Sequence, residues 1–199
     1  MNKKEAENIT IKLIKNYPEA KCSLDFSTPF QMLVAVCLSA QCTDERVNQV
    51  TKTLFKRYST PEDFANANVE DIEKLIYSCG FYKNKARNLV NAGKKVCEDY
   101  NGIVPDNMED LMKIPGVGRK SANVIMLEAF NKPQGIAVDT HVKRISKRIG
   151  FSNEKEPEKI EQDLLKEIPK NIGKMLIMYL FIMEEIHANH KIHNARIAL

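Results

Sequence analysis

The most informative part of the sequence runs from Leu111 to Ala122 and reads LMKIPGVGRKSA. A short helical pattern runs into Pro-Gly-Val-Gly, and a second helical pattern begins directly after it. The first backbone amides of the second helix have no intrahelical partners and carry its positive end, so they form an anion site. We expect Gly116 and Gly118 to adopt a positive φ and to admit another chain closely, because neither has a Cβ. Arg119 and Lys120 add positive charge.

Three kinds of structure can be compared with this stretch, and two of them remain as interpretations. It differs from the phosphate-binding loop of nucleotide-binding proteins, because it lacks a preceding strand and a Gly-Lys-Ser/Thr ending. It is compatible with an ordinary helix–helix turn in which the glycines only permit close packing. The functional interpretation is a helix-hairpin-helix that holds a DNA backbone without reading its sequence.

Apolar residues recur at three- and four-residue spacing along most of the chain, which predicts an all-α fold. Capping residues agree with this pattern, with Thr43 before a helix, Pro61 in a first turn and Asn101-Gly102 at a helix end. The segment 135–138 is too short to found a sheet. The predicted helices cover residues 2–16, 28–39, 43–57, 69–77, 82–100, 107–113, 119–131, 139–149 and 156–168.

Composition excludes several classes of protein. The 199 residues are 43% apolar and 28% charged, which excludes disordered and collagen-like chains. The charged N-terminus lacks the apolar core of a signal peptide, and no apolar run spans a bilayer, so we expect a cytoplasmic protein without membrane contact. The net charge of +4 is compatible with nucleic-acid binding but also with many other enzymes.

The cysteines do not follow a metal-binding spacing. We expect buried free thiols, because Cys37 falls in an apolar run and nothing indicates secretion. The five cysteines are Cys22, Cys37, Cys42, Cys79 and Cys97.

Lys120 and Asp139 are the candidate catalytic residues. Taken alone, Lys120 is a phosphate contact and Asp139 is the N-cap of the helix that it opens. Both roles are compatible with catalysis. A lysine at a helix start, partly desolvated and beside another cation, loses its proton readily. The neutral amine can attack a sugar C1′ to form a Schiff base, while a carboxylate assists departure of the base and the proton transfers.

Four motifs resemble the endonuclease III family, in the same order along the chain. They are Ser39–Asp44, Gly80-Phe81-Tyr82, Ile114–Lys120 and Val138–His141. The resemblance runs from about residue 2 to about residue 170. Members of the family are DNA glycosylases with β-lyase activity on abasic sites.

The resemblance implies two helical domains with the DNA cleft between them. The first is a six-helix domain over residues 22–133, with the helix-hairpin-helix at about 107–131. The second combines residues 1–21 and 134–199.

The resemblance also assigns roles to particular residues. Lys120 would be the Schiff-base nucleophile and Asp139 its acidic partner. Gln41 would fill the gap left by a flipped base, and Phe81 would wedge beside it. Without the resemblance, Gln41 is a polar residue near a cap and Phe81 a half-buried core aromatic. The hairpin residues that would contact DNA are Gly116, Val117, Gly118, Arg119 and Ser121.

Lys120 also separates two groups of relatives. Adenine-removing relatives share the fold but generally lack a lysine at this position, so its presence favours the bifunctional pyrimidine enzyme.

The C-terminal segment 172–199 departs from the family pattern. Family members normally end with cysteines spaced C-x6-C-x2-C-x5-C, which hold a [4Fe–4S] cluster. This sequence has no cysteine after Cys97, so we expect no cofactor in this chain. His187, His190 and His193 could bind a metal, but three-residue steps drift around a helix, so we assign no metal site.

A frameshift from about Asn171 explains this segment. Each alanine codon, read one base earlier, can supply the last two bases of a cysteine codon. Ala188, Ala195 and Ala198 are separated by seven and three positions, as in C-x6-C-x2-C. The cluster is therefore expected only when the reading frame is restored.

Two classes of function follow from the sequence. The first is an enzyme of base excision repair that excises oxidised pyrimidines and cleaves abasic sites. The second is an inactive DNA-binding remnant whose altered C-terminus has removed catalytic competence. We expect a monomer whose partner is double-stranded DNA with damaged bases or abasic sites.

Overall fold

The computed structural model describes residues 22–132, 134–138 and 140–167, and these form nine helices without a strand. The all-α prediction is confirmed. The helix predicted over 2–16 and the segment 172–199 lie outside the described residues. The helices are α1 (Pro29–Ser39), α2 (Asp44–Arg57), α3 (Pro61–Ala65), α4 (Val69–Leu75), α5 (Tyr82–Tyr100), α6 (Met108–Leu111), α7 (Arg119–Glu128), α8 (Thr140–Ile149) and α9 (Pro157–Glu167).

The helix ends follow the capping signals of the sequence. The Thr43 hydroxyl accepts the Arg46 N–H at 3.3 Å at the start of α2, as predicted. At the end of α5, Asn101 adopts a left-handed conformation and Gly102 has φ +77°, so the chain turns away there. These caps satisfy backbone groups that a helix leaves unpaired at its ends.

The short helix α3 depends on a reciprocal cap. Thr60 accepts the Asp63 N–H at 3.2 Å, while the Asp63 carboxylate accepts the N–H groups of Ser59 and Thr60 at 2.8 and 2.9 Å. Backbone donation from Ser59, and then from Thr60, holds the pKa of Asp63 below its ordinary value. This cap presents Phe64 to the core, where its side chain is fully buried.

Helix α1 lies at the centre of the core. Eight of its eleven residues are buried, so it is apolar on nearly all sides. It packs against α2, α5 and α7. The Phe30 ring meets the Phe64 ring edge-on, with the centroids 5.4 Å apart.

Helices α3 and α5 approach each other at Gly93. A Cβ there would lie 2.7 Å from both the Ala65 nitrogen and the Pro61 oxygen. No side chain fits at that distance, so this close crossing requires glycine.

The described residues divide into two compact units. One is Ser23–Gln134, which contains α1–α7. It has seven helices where the resemblance implied six, and two of the seven, α3 and α6, are only five and four residues long. The other unit includes the chain from Gly135 onward, where α8 packs against α9. The buried Glu161 carboxylate of α9 accepts the Ile136 N–H at 3.0 Å. Residues 1–21 are not described, so their assignment to this unit stays a prediction.

Across the described helices, none combines the length and the apolar character that crossing a membrane requires.

Candidate nucleic-acid interface

The predicted hairpin is present between α6 and α7. Gly116 has φ +87°, as predicted. Gly118 does not have a positive φ: it is the N-cap of α7 with φ −92° and ψ 178°, an extended conformation open to any residue. The expectation for Gly118 is wrong because an N-cap requires extended backbone. A Cβ at Gly118 would have no atom within 4 Å, so the space in front of it is open.

The hairpin turn packs against two helices of the core. The Cys37 thiol of α1 donates to the Gly116 carbonyl at 3.5 Å. A Cβ at Gly116 would lie 3.3 Å from the Asn88 Cβ of α5. Gly116 was expected to admit another chain closely. In the structure, the groups that approach it closely belong to α1 and α5 of the protein itself.

The residues that follow the turn lie at the positive end of α7. Gly118 supplies no side-chain cap there, and Arg119 and Lys120 are exposed. Ser121 is half-buried. The Val117 side chain is buried at 6% exposure, so only its backbone is available to a DNA strand. Lys120 was expected to be partly desolvated. The structure places it on the surface instead, where its side chain is exposed to water.

Gln41 and Phe81 share an uncommon backbone conformation. The non-glycine residues with positive φ among those described are Gln41 (+54°), Phe81 (+57°), Asn101 (+52°) and Asn131 (+55°). Asparagine tolerates this region, whereas a bulky residue such as phenylalanine in it is an outlier. Strain of this kind collects at functional sites.

Gln41 and Phe81 also lie on neighbouring loops. Gly80, which precedes Phe81, packs so closely that a Cβ there would lie 3.3 Å from the Gln41 carbonyl oxygen. Phe81 is 66% exposed, so it is not the core aromatic of the alternative interpretation. Gln41 is exposed as well, so both side chains are available to a ligand.

Three candidate residues from distant parts of the sequence line one cavity. Its volume is about 230 Å³, and Gln41, Phe81 and Gly116 contribute to its wall. The remaining lining residues, none of them predicted from the sequence, are Cys37, Ala40, Asn84, Lys85 and Asn88.

The most informative of these additional residues is Lys85. Lys85 is only 7% exposed. A lysine is buried to this extent only when its ammonium group has hydrogen-bond or charged partners. The available signal was its position in α5, four residues before Leu89 and seven before Ala92, both of which are buried. That position places it on the inner face of the helix.

The described cysteines do not fit an iron–sulfur cluster. All five are free; Cys37 and Cys79 are buried as predicted, while the other three are half-buried. Burial raises the pKa of Cys37 to about 12 and that of Cys79 to about 11, which disfavours the thiolate that a metal requires. Nowhere among residues 22–132, 134–138 and 140–167 do three metal-ligating side chains converge.

The predicted acidic partner is outside the described part of the chain. Asp139 directly precedes α8, which begins at Thr140. Its neighbour Val138 is buried. The roles assigned to Asp139 stay predictions.

Comparison with known proteins identifies the family. The model of the HhH-GPD superfamily base excision DNA repair protein matches residues 34–170. The endonuclease III of Synechocystis sp. is 51% identical over 168 residues, which cover 84% of this chain and 77% of the relative. The endonuclease III of Bacillus subtilis is 47% identical over 171 residues, covering 85% of this chain and 78% of the relative.

Solved structures agree with the sequence comparison. A trapped endonuclease III–DNA covalent intermediate, an estranged-adenine complex, has a TM-score of 0.86 and 44% identity. That match covers 90% of this chain and 84% of the other. A thermostable thymine-DNA glycosylase, at 20% identity and a TM-score of 0.78, shares the fold. This chain therefore belongs to the endonuclease III family, within the HhH-GPD superfamily of base excision DNA repair proteins.

Proposed function

We propose that this chain is a bifunctional DNA glycosylase and abasic-site lyase that removes oxidised pyrimidines from double-stranded DNA as a monomer. The observation that carries the proposal is the meeting of Gln41, Phe81 and Gly116 around one cavity. The exposed Phe81 ring and the exposed Gln41 amide both stand on strained protein backbone, next to the hairpin that would hold the DNA phosphates. This arrangement suits a protein that opens a base pair.

The hairpin supplies binding that does not depend on DNA sequence. The positive end of α7 and the exposed Arg119 attract a phosphate, and the open space at Gly118 lets the DNA backbone approach. Gln41 enters the gap left by the flipped nucleotide, and Phe81 stacks beside it. A damaged base is extruded at lower cost than a paired one, which contributes to selectivity.

Lys120 carries the chemistry in this proposal. Its neutral Nζ attacks C1′ of the damaged nucleotide, the C1′–N bond breaks, and the base leaves with the bonding electrons. Opening of the sugar gives a Schiff base between Nζ and C1′. Removal of a C2′ proton then expels the 3′ phosphate, and water releases Lys120 by hydrolysis. Asp139 is the carboxylate that exchanges protons during base departure.

The test is borohydride trapping on a duplex that contains an oxidised pyrimidine such as thymine glycol. Lys120→Gln should abolish the covalent adduct, since an amide nitrogen is not basic enough to attack C1′, while DNA affinity survives. Lys113→Gln is the matched control: Lys113 lies before the turn and is ion-paired with Glu109 and Asp110 at 3.0 and 2.9 Å. Its adduct should persist.

The outcomes separate the two classes of function. Undiminished trapping by Lys120→Gln removes this residue from the mechanism. If the wild-type chain binds abasic DNA but forms no adduct, the DNA-binding remnant is the better description.

A further inference from the structure

The buried Lys85 side chain is tied to the end of α1. Its Nζ donates to the Leu38 carbonyl at 2.8 Å and to the Ala40 carbonyl at 2.7 Å. Helix α1 ends at Ser39, so these carbonyls belong to the final turn and its cap, which lack intrahelical partners. A cation at this end also meets the negative end of the helix dipole.

The two carbonyls are the main groups that offset the cost of burying the Lys85 ammonium charge. Burial lowers the pKa of Lys85, and the thiols of Cys79, Cys42 and Cys37 act against this shift. Because burial raises the pKa of both Cys79 and Cys37, these two thiols are neutral near pH 7. The ammonium charge is therefore offset chiefly by the carbonyl dipoles of α1.

The second of these hydrogen bonds is made to the residue directly before Gln41. Ala40, whose carbonyl accepts the second bond, is the C-cap of α1, and Gln41 follows it with φ +54°. Glutamine has no intrinsic preference for this conformation, so neighbouring contacts must hold it. The Cys42 N–H closes the turn on the Ser39 carbonyl at 3.0 Å. Lys85 is thus bonded to the peptide group from which the Gln41 side chain is displayed.

We propose that Lys85 is a positioning residue for DNA binding, which fixes the end of α1 so that Gln41 is presented to the gap in the duplex. The inference rests on the proposed function, because Gln41 matters to DNA only if it enters that gap. A purely structural role for Lys85 would affect folding stability without any coupling to Gln41.

A double-mutant cycle distinguishes these roles. The probe is a duplex with a tetrahydrofuran abasic analogue, and the measurement is its dissociation constant at fixed salt. Lys85→Met should weaken binding about tenfold when Gln41 is present and less than about twofold in the Gln41→Ala background, as expected for coupled residues. Lys85→Arg, which keeps the charge and its donors, should restore part of the loss.

Lys83→Met controls for charge. Lys83 lies on the same helix and is exposed, so its loss should reduce the salt dependence of binding, whereas loss of the buried Lys85 should not. Thermal unfolding checks that each variant is folded. If Lys85→Met does not fold, the cycle is run with Lys85→Arg, which should then weaken binding only when Gln41 is present.

Two results overturn the proposal in distinguishable ways. Equal losses in the presence and absence of Gln41 overturn the positioning role alone. A wild-type chain that does not prefer the abasic duplex to undamaged DNA contradicts the proposed function and this inference together.

Discussion

The Gln41 carbonyl oxygen lies 3.3 Å from the place that a Cβ of Gly80 would occupy. This contact joins the loop after α1 to the loop before α5. The two exposed residues on these loops, Gln41 and Phe81, therefore cannot shift independently, although forty positions separate them in the sequence. Both residues have a left-handed backbone, and we attribute this conformation to the packing of the two loops against each other.

Phe81 offers a test of two points: whether its left-handed backbone is strained, and whether its ring contributes to DNA binding. Phe81→Gly should stabilise the protein by about 1 kcal/mol, because glycine adopts φ +57° without penalty. It should nevertheless weaken binding to abasic-site DNA, because the exposed ring is lost. Phe81→Ala keeps the strain and loses the ring, so it should weaken binding without the gain in stability. Urea unfolding and binding titrations measure both effects, and equal stability of the two variants would contradict the account.

Gly118 should respond to side-chain size in binding and not in folding. Its extended backbone and open surroundings leave room for alanine or valine, and both should cost the same ~1 kcal/mol, because glycine is a better N-cap than either. Binding to duplex DNA of any sequence should weaken from glycine to alanine to valine as the side chain obstructs the phosphate. Each lost ionic contact should flatten the log–log salt dependence by about 0.9. Gly116→Val should destabilise the fold for a different reason, since its φ is +87°. A valine at Gly118 that binds as well as wild type would exclude this site from the interface.

Asp63 should make stability depend on pH in the acid range. Its folded-state pKa lies below the ordinary value of 3.8, because it accepts backbone N–H groups from Ser59 and Thr60. The unfolded chain therefore takes up the proton first, and the contribution of Asp63, fully present above about pH 4, is lost as pH falls through the folded pKa. Asp63→Asn should cost about 1 kcal/mol near pH 6 and progressively less toward pH 2.

Thr60→Ala is the matched control for Asp63. It removes the other half of the capping box at a cost of about 1 kcal/mol but leaves the amides that donate to the carboxylate. Urea unfolding from pH 6 to pH 2 should show the same acid dependence in Thr60→Ala as in wild type. Loss of that dependence in Thr60→Ala would contradict the assignment to Asp63.

The C-terminal segment yields a prediction about metal content. Reading the gene one base earlier from about Asn171 should give a brown, iron-containing protein with four clustered cysteines. The present chain should be colourless and free of iron, since the described cysteines do not converge. The restored protein should also resist heat and protease better, because cluster ligation adds to the folding free energy. Iron analysis of both proteins is the measurement. A stop codon before a fourth cysteine, or absence of iron, would exclude the frameshift.

Most helices could be predicted from the sequence, and the exceptions have physical reasons. Long helices such as α5 repeat their apolar pattern over several turns, and residues such as Thr43 and Asn101 mark where they begin or end. Helix α3 is too short to carry a period, so only Pro61 and the Thr60-x-x-Asp63 capping pattern mark it in the sequence. Its existence depends on Asp63 and on burial of Phe64.

The candidate site was less accessible to sequence reasoning. The hairpin and its positive φ at Gly116 follow from local chemistry, but the extended Gly118 follows from its N-cap role. No local rule predicts a left-handed phenylalanine, because the contacts that hold Phe81 come from distant residues. The role of Lys85 does not follow from the local sequence for a similar reason: only the folded chain brings the carbonyls of α1 to its ammonium group.

Gly93 has a consequence for the range of sequences that this fold accepts. A glycine inside a 19-residue helix ordinarily costs about 1 kcal/mol relative to alanine, so alanine would be the first choice for thermostabilisation. Here the added methyl group would meet two backbone atoms of α3 at 2.7 Å, and the expected gain would become a loss. Gly93 thus has the poorest intrinsic helix propensity in α5, and yet no residue with a side chain can replace it without moving α3. The orientation of α5, and with it the placement of Lys85 and Phe81, depends on a side chain that is missing.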